Sequence, residues 1–224
     1  DNKNILNILK EGFKSIKKYA LGLGVALGTA TVAITKMAVS AYADYEQLIG
    51  GVETLFKESA GIVEEYANNA YKTAGLSANQ YMETVTSFSA SLISSLNGDT
   101  EASAKAANQA IIDMSDNANK MGTDMSLIQS AYQGFAKQNY TMLDNLKLGY
   151  GGTKTEMERL LKDAQKISGQ KYDIKNLSDV YNAIHVIQEE LHVTGTTADE
   201  AEKTISGSMN SMKAAFDNFL NGSG

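Results

Sequence analysis

The sequence predicts an all-α fold: a bundle of short capped helices behind an Ala/Gly-rich apolar N-terminal helix, with oligomeric coiled-coil packing as one way of using its apolar seams. Three observations carry this. No proline occurs in 224 residues, so nothing removes a backbone donor or breaks a helix from within. Capping residues and glycines alternate along the chain at helix-length intervals. Between them, apolar residues recur three and four apart, the period of one helix face.

Composition narrows the chemistry. The chain has no Cys and two His, which removes disulfides, thiol nucleophiles, iron–sulfur clusters and Cys-based zinc sites. Its hydrophobic fraction of 43% is enough to build a core. The net charge of −6 disfavours a broad basic face for duplex nucleic acid. Trp is absent and Arg159 is the one arginine, so two favoured interface anchors are missing or nearly so.

Residues 1–18 form a basic amphipathic arm. It holds Lys3, Lys10, Lys14, Lys17 and Lys18 against Asp1 and Glu11, and the body that follows is acidic.

Residues 19–49 are read as an apolar, marginally membrane-competent helix. From Tyr19 to Thr35 there is no charge, and the flanks are Lys17, Lys18 and Lys36. Seventeen helical residues reach roughly 26 Å, slightly short of a hydrocarbon core of about 30 Å, and continuation through Ala43 would span it. The apolar residues Leu21, Leu23, Val25, Leu27, Val32 and Ile34 each favour insertion by only about 0.3–0.6 kcal/mol, whereas one Lys costs up to about 3. Gly24, Gly28 and Thr31 make a small-residue stripe that permits close helix approach in a bilayer or a bundle. Membrane contact, if made, falls on these residues and on the three lysines. Two other readings stay open: a buried packing helix, and a strand over the large/small alternation from Leu21 to Gly28. A secretory signal would share the pattern of lysines followed by an apolar run. The run is long and Gly-rich for one, and with Asp as first residue the chain reads as an excised fragment.

Residues 50–224 form a helical core module. Gly50–Gly51 is expected to break what precedes it. Ser77-x-x-Gln80, Thr153-x-x-Glu156 and Thr197-x-x-Glu200 have the form of capping boxes, and Asp99 can cap a further helix alone. Gly98, Gly122, Gly169, Gly195 and Gly222 stand where left-handed helix ends are expected. The apolar stripes are Tyr81, Val85, Phe88, Leu92, Leu96; then Met157, Leu160, Leu161, Ala164, Ile167; then Leu177, Val180, Tyr181, Ile184, Ile187, Leu191; and finally Ala201, Ile205, Met209, Met212, Phe216, Leu220. Each must pack on neighbours or on other copies.

One stretch has heptad spacing: Ala104, Ala107, Ile111, Met114, Ala118, Met121, Met125, Ile128, Tyr132 and Phe135. Its Ala and Met content makes a loose seam, and Gly122-Thr-Asp interrupts it. A continuous intermolecular rod and two stacked helices sharing a groove are both consistent with the pattern.

Two clusters invite a chemical reading. His185, Glu189 and His192 share a helix face. Histidines seven apart are separated by about 10.5 Å of helix rise, too far to meet at one zinc ion, so they read as solvated or capping side chains. Gly149-Tyr150-Gly151-Gly152-Thr153-Lys154 places a glycine loop before a helix N-terminus, the arrangement that cradles phosphate. Thr153 interrupts the Gly-Lys-Ser/Thr order of a phosphate loop, and no buried strand precedes it. A tight turn using positive φ is the plainer reading. No nucleophile, base and orienter trio is apparent, so no catalytic residue, metal ligand or cofactor is assigned.

The run from Tyr132 through Leu161, YQGFAKQNYTMLDNLKLGYGGTKTEMERLL, resembles the core of tail tape measure proteins of long-tailed bacteriophages and their prophages. Tyr45–Phe56, Tyr71–Ser77, Asp116–Gly122, Asp179–Ile184 and Ser211–Ala215 resemble the same family in the same order, so the similarity covers about residues 40–220. The resemblance implies a non-enzymatic virion component, made in the host cytoplasm and held in the tail lumen in several copies. Tail tube subunits would polymerise around it, so that its length sets tail length. Implied partners are further copies, tail tube, tail-tip and tail assembly chaperone proteins, and the host membrane during genome delivery, with no sequence-specific nucleic acid. Family members are much longer, which makes this chain one region of such a protein, and its caps suggest a folded module beside the rod-like ruler.

Overall fold

A computed structural model describes residues 43–203 together with 213, 214, 217 and 218. The basic arm, the apolar segment containing Lys17, Lys18, Leu21, Leu23, Gly24, Val25, Leu27, Gly28, Val32, Ile34 and Lys36, most of the final apolar stripe and Gly222 lie outside the described residues. Among the described residues the chain is all-helical, with no strand.

The helices are α1 (43–56), α2 (Ala60–Thr73), α3 (Ala78–Ser95), α4 (Thr100–Met121), α5 (Met125–Ala136), α6 (Lys154–Ser168), α7 (Leu177–Glu190) and α8 (Thr196–Lys203), with 3-10 turns at Lys57–Ser59 and Leu143–Leu146. The long α4 is the hub: α2, α3, α5, α7 and α8 all pack on it, while α6 pairs with α7. Among the described helices, none is long and apolar enough to cross a membrane.

Local signals set most helix starts. Ser77 and Gln80 form the full reciprocal box, Ser77 Oγ accepting the Gln80 N–H and Gln80 Oε1 accepting the Ser77 N–H. Asp99 accepts the Ala102 N–H at 2.9 Å and starts α4. Gly122, at φ +63°, ends that helix, and Gly169, at φ +74°, ends α6. These are left-handed positions where a Cβ is strained.

The expected stripes face inward. Tyr81, Val85, Phe88 and Leu92 are buried, as are Met157, Leu160, Leu161 and Ala164, and Leu177, Val180, Tyr181, Ile184 and Ile187. At the stripe ends, Ile167 and Leu191 are nearly half exposed.

The structure departs from the sequence reading at three helix boundaries, at Gly50–Gly51, Thr197 and Gly195, and selects one of the two readings of the seam. Gly50 and Gly51 lie inside α1 rather than breaking it. Val52 and Phe56 are fully buried in the core, and that docking offsets the roughly 1 kcal/mol that each glycine costs a helix.

The heptad seam is divided, and it is covered by its own chain. Gly122 splits it into α4 and α5, and Ile111, Met114, Ile128, Tyr132 and Phe135 are buried among α3, α7 and the 143–146 turn, with Met121 and Met125 partly buried at the junction. These are two helices sharing one groove, and the buried part of their stripe is covered by the same chain. A chain that turns back on itself reaches its own seam without the entropic cost of association.

Thr197 does not cap the last helix, because α8 begins at Thr196 and its first amides are taken by a side chain from α4, described below. Gly195 has φ +85° but follows the end of α7 at a distance; the left-handed residue next to that end is His192, at φ +53°.

Candidate functional site

The glycine turn is built as a corner. Gly149 has φ +87°, and Gly152 lies so close to the preceding segment that a Cβ there would sit 2.2 Å from the carbonyl oxygen of Thr141. Close approach, then, explains Gly152, and positive φ explains Gly149 alone. Thr153 Oγ1 accepts the Glu156 N–H and caps α6. Glu156 does not complete the box. It turns its carboxylate to the Gly151 N–H at 3.0 Å and to Arg159 at 2.6 Å.

Arg159 closes the corner from the other side. Its Nη2 donates to the Gly149 carbonyl at 2.7 Å, and the guanidinium lies 4.3 Å from the centre of the Tyr150 ring, a cation–π distance. Tyr150 donates to Asp163 at 3.2 Å. The Arg159 guanidinium and the Gly151 amide hold the Glu156 carboxyl down at about 2, whereas partial burial beside Asp163 pushes the Tyr150 hydroxyl up to about 12. Lys154 opens α6 and lies 3.9 Å from Glu158. A phosphate approaching these amides would meet the ionised Glu156 already bound to one of them. The corner is a clamp that fastens the 149–151 turn to α6.

A second cluster lies on α4, where periodicity alone gives no reason to look. Asp113, Asp116 and Asn117 are buried on the hub helix, at spacings of three and four that place them on one face. Burying such groups costs several kcal/mol unless they are bonded, and each is bonded across the fold.

Asp116 accepts the Gly195 N–H at 2.6 Å and the Thr197 N–H at 2.8 Å, and its backbone carbonyl accepts the Thr196 hydroxyl. It thereby caps α8 from another helix. Asn117 donates to the Leu146 carbonyl at 2.9 Å and to Gln188 Oε1 at 2.8 Å, and Gln188 donates in turn to the Asp113 carbonyl at 3.2 Å.

Asp113 Oδ1 accepts from His185 Nδ1 at 2.8 Å and from Gln109 Nε2 at 3.1 Å. Its Oδ2 is buried without a hydrogen-bond partner, as is the hydroxyl of Tyr132. His185 Nε2 lies 3.6 Å from Glu189 Oε1. His185 is therefore not a solvated or capping side chain: its side chain is 20% exposed and its ring bridges α7 to α4. His192 is exposed and stands apart. Hydrogen bonding to Asp113 raises the His185 pKa, and burial raises that of Asp113, so both shifts favour keeping the proton that the pair shares.

An Asp–His pair orients a general base in many enzymes. Here both ring nitrogens face carboxylates, and among the described residues no hydroxyl lies within hydrogen-bond distance of the ring. Among the described residues, no three His, Asp or Glu side chains converge as metal ligands. An open cleft of about 510 Å³ between the ends of α3, α5 and α7 is lined mostly by small and apolar side chains, with Lys175 its single charged residue.

The fold and the polar face of α4 together define a helical bundle clamped by side chains that cap and bridge distant elements. No family model matches the chain, and no curated protein or solved structure matches it.

Proposed function

We propose that this chain is a folded module of a tail tape measure protein, a structural component of a phage tail that templates tube polymerisation and tail length and assists genome delivery. The observation that carries the reading is the run Tyr132–Leu161, which resembles that family. Its residues have structural tasks here: Tyr132 and Phe135 in the core, Gly152 against Thr141, and Arg159 across Tyr150. A scaffold role is consistent with a site made of clamps.

The compact fold supports reading these residues as a module beside the ruler. As one straight helix, residues 43–203 would extend roughly 240 Å at about 1.5 Å per residue. Folded, a chain of that size has a radius of gyration of about 15 Å. In-frame removal of 43–203 from the parent gene should therefore shorten virion tails by no more than the module's own width of some tens of ångströms. Shortening near 240 Å would assign these residues to the ruler, and absence of the chain from purified tails by mass spectrometry would end the tail reading altogether.

The basic arm and the uncharged run Tyr19–Thr35 support a second reading, a membrane-active pore-forming helical protein acting mainly in DNA ejection. Leakage of anionic liposomes should then require residues 1–45, and a chain lacking them should be silent. Equal leakage with and without them would remove this reading.

A further inference from the structure

We propose that His185 and Asp113 form a proton-dependent latch, in which the protonated imidazole fastens α7 and the strap that follows it to the hub helix, and loss of its proton loosens that joint. The inference goes beyond the tail reading and does not depend on it.

The geometry sets the two states. With the ring protonated, Nδ1–H donates to Asp113 Oδ1 at 2.8 Å, and Nε2–H faces Glu189 Oε1 at 3.6 Å. The imidazolium then lies between two carboxylates, one of them almost fully buried. With the ring neutral, Nδ1–H still reaches Asp113, but the carboxylate keeps its charge in the interior without a cation against it. Gln109 supplies one neutral bond to the oxygen His185 already uses, and Oδ2 has none. A buried charge that loses its partner is among the more destabilising changes a fold meets.

The surroundings of the ring reinforce this. From α4 the facing groups are Asp113, Asp116 and the uncharged Gln109, and from α7 itself Glu189. The helices α6 and α3 also pack on α7 and bury apolar faces, Met157, Leu160 and Leu161 on α6 and Phe88 and Leu92 on α3, with Phe88 edge-on to Tyr181. From α5 comes Tyr132, whose hydroxyl is pushed well above its ordinary value by burial first and then by the charge of Asp113. Among the described residues, the charged groups acting on His185 are Asp113, Glu189 and Asp116, all acidic, and the charge balance there rests on the ring's proton.

What the latch holds extends past the ring. Gln188, one turn on, binds the Asp113 carbonyl and Asn117, and the strap Val193–Thr197 is held by Asp116 three residues along the same face. Loosening α7 at His185 strains the bonds by which the start of α8 is placed.

The sign follows from linkage. A group whose pKa is raised on folding contributes stability that is fully present below its unfolded value, about 6.5 for His, and is lost as pH rises through the folded value. The experiment is an NMR titration of the full chain, following the His185 ring with a His192→Gln variant for assignment, alongside thermal unfolding from pH 5 to 9. We expect His185 to titrate above 6.5 and the melting temperature to fall through the same window. His185→Gln should melt lower at pH 5.5 and lose the pH dependence in that window, and Asp113→Asn should return the ring's titration to the ordinary range. A ring titrating at or below 6.5 in the unmodified protein, or a melting profile that His185→Gln leaves unchanged, would overturn the latch.

Discussion

Asp116 Oδ1 accepts the backbone N–H of Thr197 at 2.8 Å, although the two residues are 81 positions apart. The first turn of α8 is thus capped by a carboxylate that belongs to α4, and Thr197, which the local Ser/Thr-x-x-Glu pattern nominates as the cap, is itself the capped residue. The same device recurs at α3, where the Ala78 N–H donates to Asn218 Oδ1 at 2.6 Å beside the local box. Helix ends in this fold are points of tertiary attachment.

Removing the Asp116 carboxylate should be costly. Asp116→Ala strands the amides of Gly195 and Thr197 in a partly buried turn, at about 1–3 kcal/mol for each unsatisfied donor. A loss of about 3 kcal/mol is expected in urea unfolding, read as a lower midpoint with an unchanged m-value, and Asp116→Asn should lose less because one acceptor remains. A midpoint within experimental error of the parent for Asp116→Ala would show that the cap contributes nothing.

Gly152 and Gly169 offer a matched comparison. Gly152→Ala would bring a Cβ to 2.2 Å from the Thr141 carbonyl oxygen, while at Gly169 the added Cβ meets nothing within 4 Å and bears only the strain of φ +74°. Expected destabilisation is at the upper end of about 1–3 kcal/mol for overpacking at 152 and about 1 kcal/mol at 169. Equal melting temperatures for the two variants would contradict the close approach.

Most seam residues are buried inside one chain, which has a consequence for concentration. Ile128→Ala should destabilise by about 2–5 kcal/mol through the cavity it leaves, and the melting temperatures of parent and variant should each be the same at dilute and tenfold higher protein. A melting temperature that climbs with concentration in the parent, and no longer does so in Ile128→Ala, would move the seam to an interface between copies.

The corner at Glu156 predicts behaviour in acid. Its carboxyl is held at about 2 by Arg159 and the Gly151 amide, below the ordinary value of about 4.3. A depressed carboxyl contributes stability that is present above the unfolded value and lost as pH falls through the folded one. Glu156→Gln should therefore flatten the acid limb of the melting profile between about pH 4.5 and 2, and a carbon-detected NMR titration should find Glu156 still ionised at pH 3. A midpoint near 4.3 in that titration would mean the clamp does not form in solution.

Several parts of the fold were legible from local chemistry. The Ser77–Gln80 box, the Asp99 cap and the left-handed stop at Gly122 each involve groups within a few residues, so their bonding follows from short-range geometry. Periodicity likewise showed which face of each helix is apolar. The glycine turn was recognisable as a turn, but not the reason for Gly152, since Thr141 meets it through chain reversal. The candidate site was hardly legible at all. Asp113 and Asp116 sit in a helix whose apolar spacing reads as a seam, and the one available signal was that two acids and an Asn, three and four apart, share a helix face beside that seam. Helical spacing makes His185 and Glu189 neighbours, whereas the partner that matters, Asp113, is 72 residues away.

Sequence by itself determined that this chain is helical, where most of its helices start and stop, and which stripe of each turns from water, because propensity, capping and periodicity act over a few residues. Tertiary structure alone decided that the long seam closes on its own chain, that Gly50–Gly51 continues a helix, and that α8 starts under Asp116. Those outcomes depend on which surfaces meet, and burial energy depends on the partner surface, which no local pattern specifies.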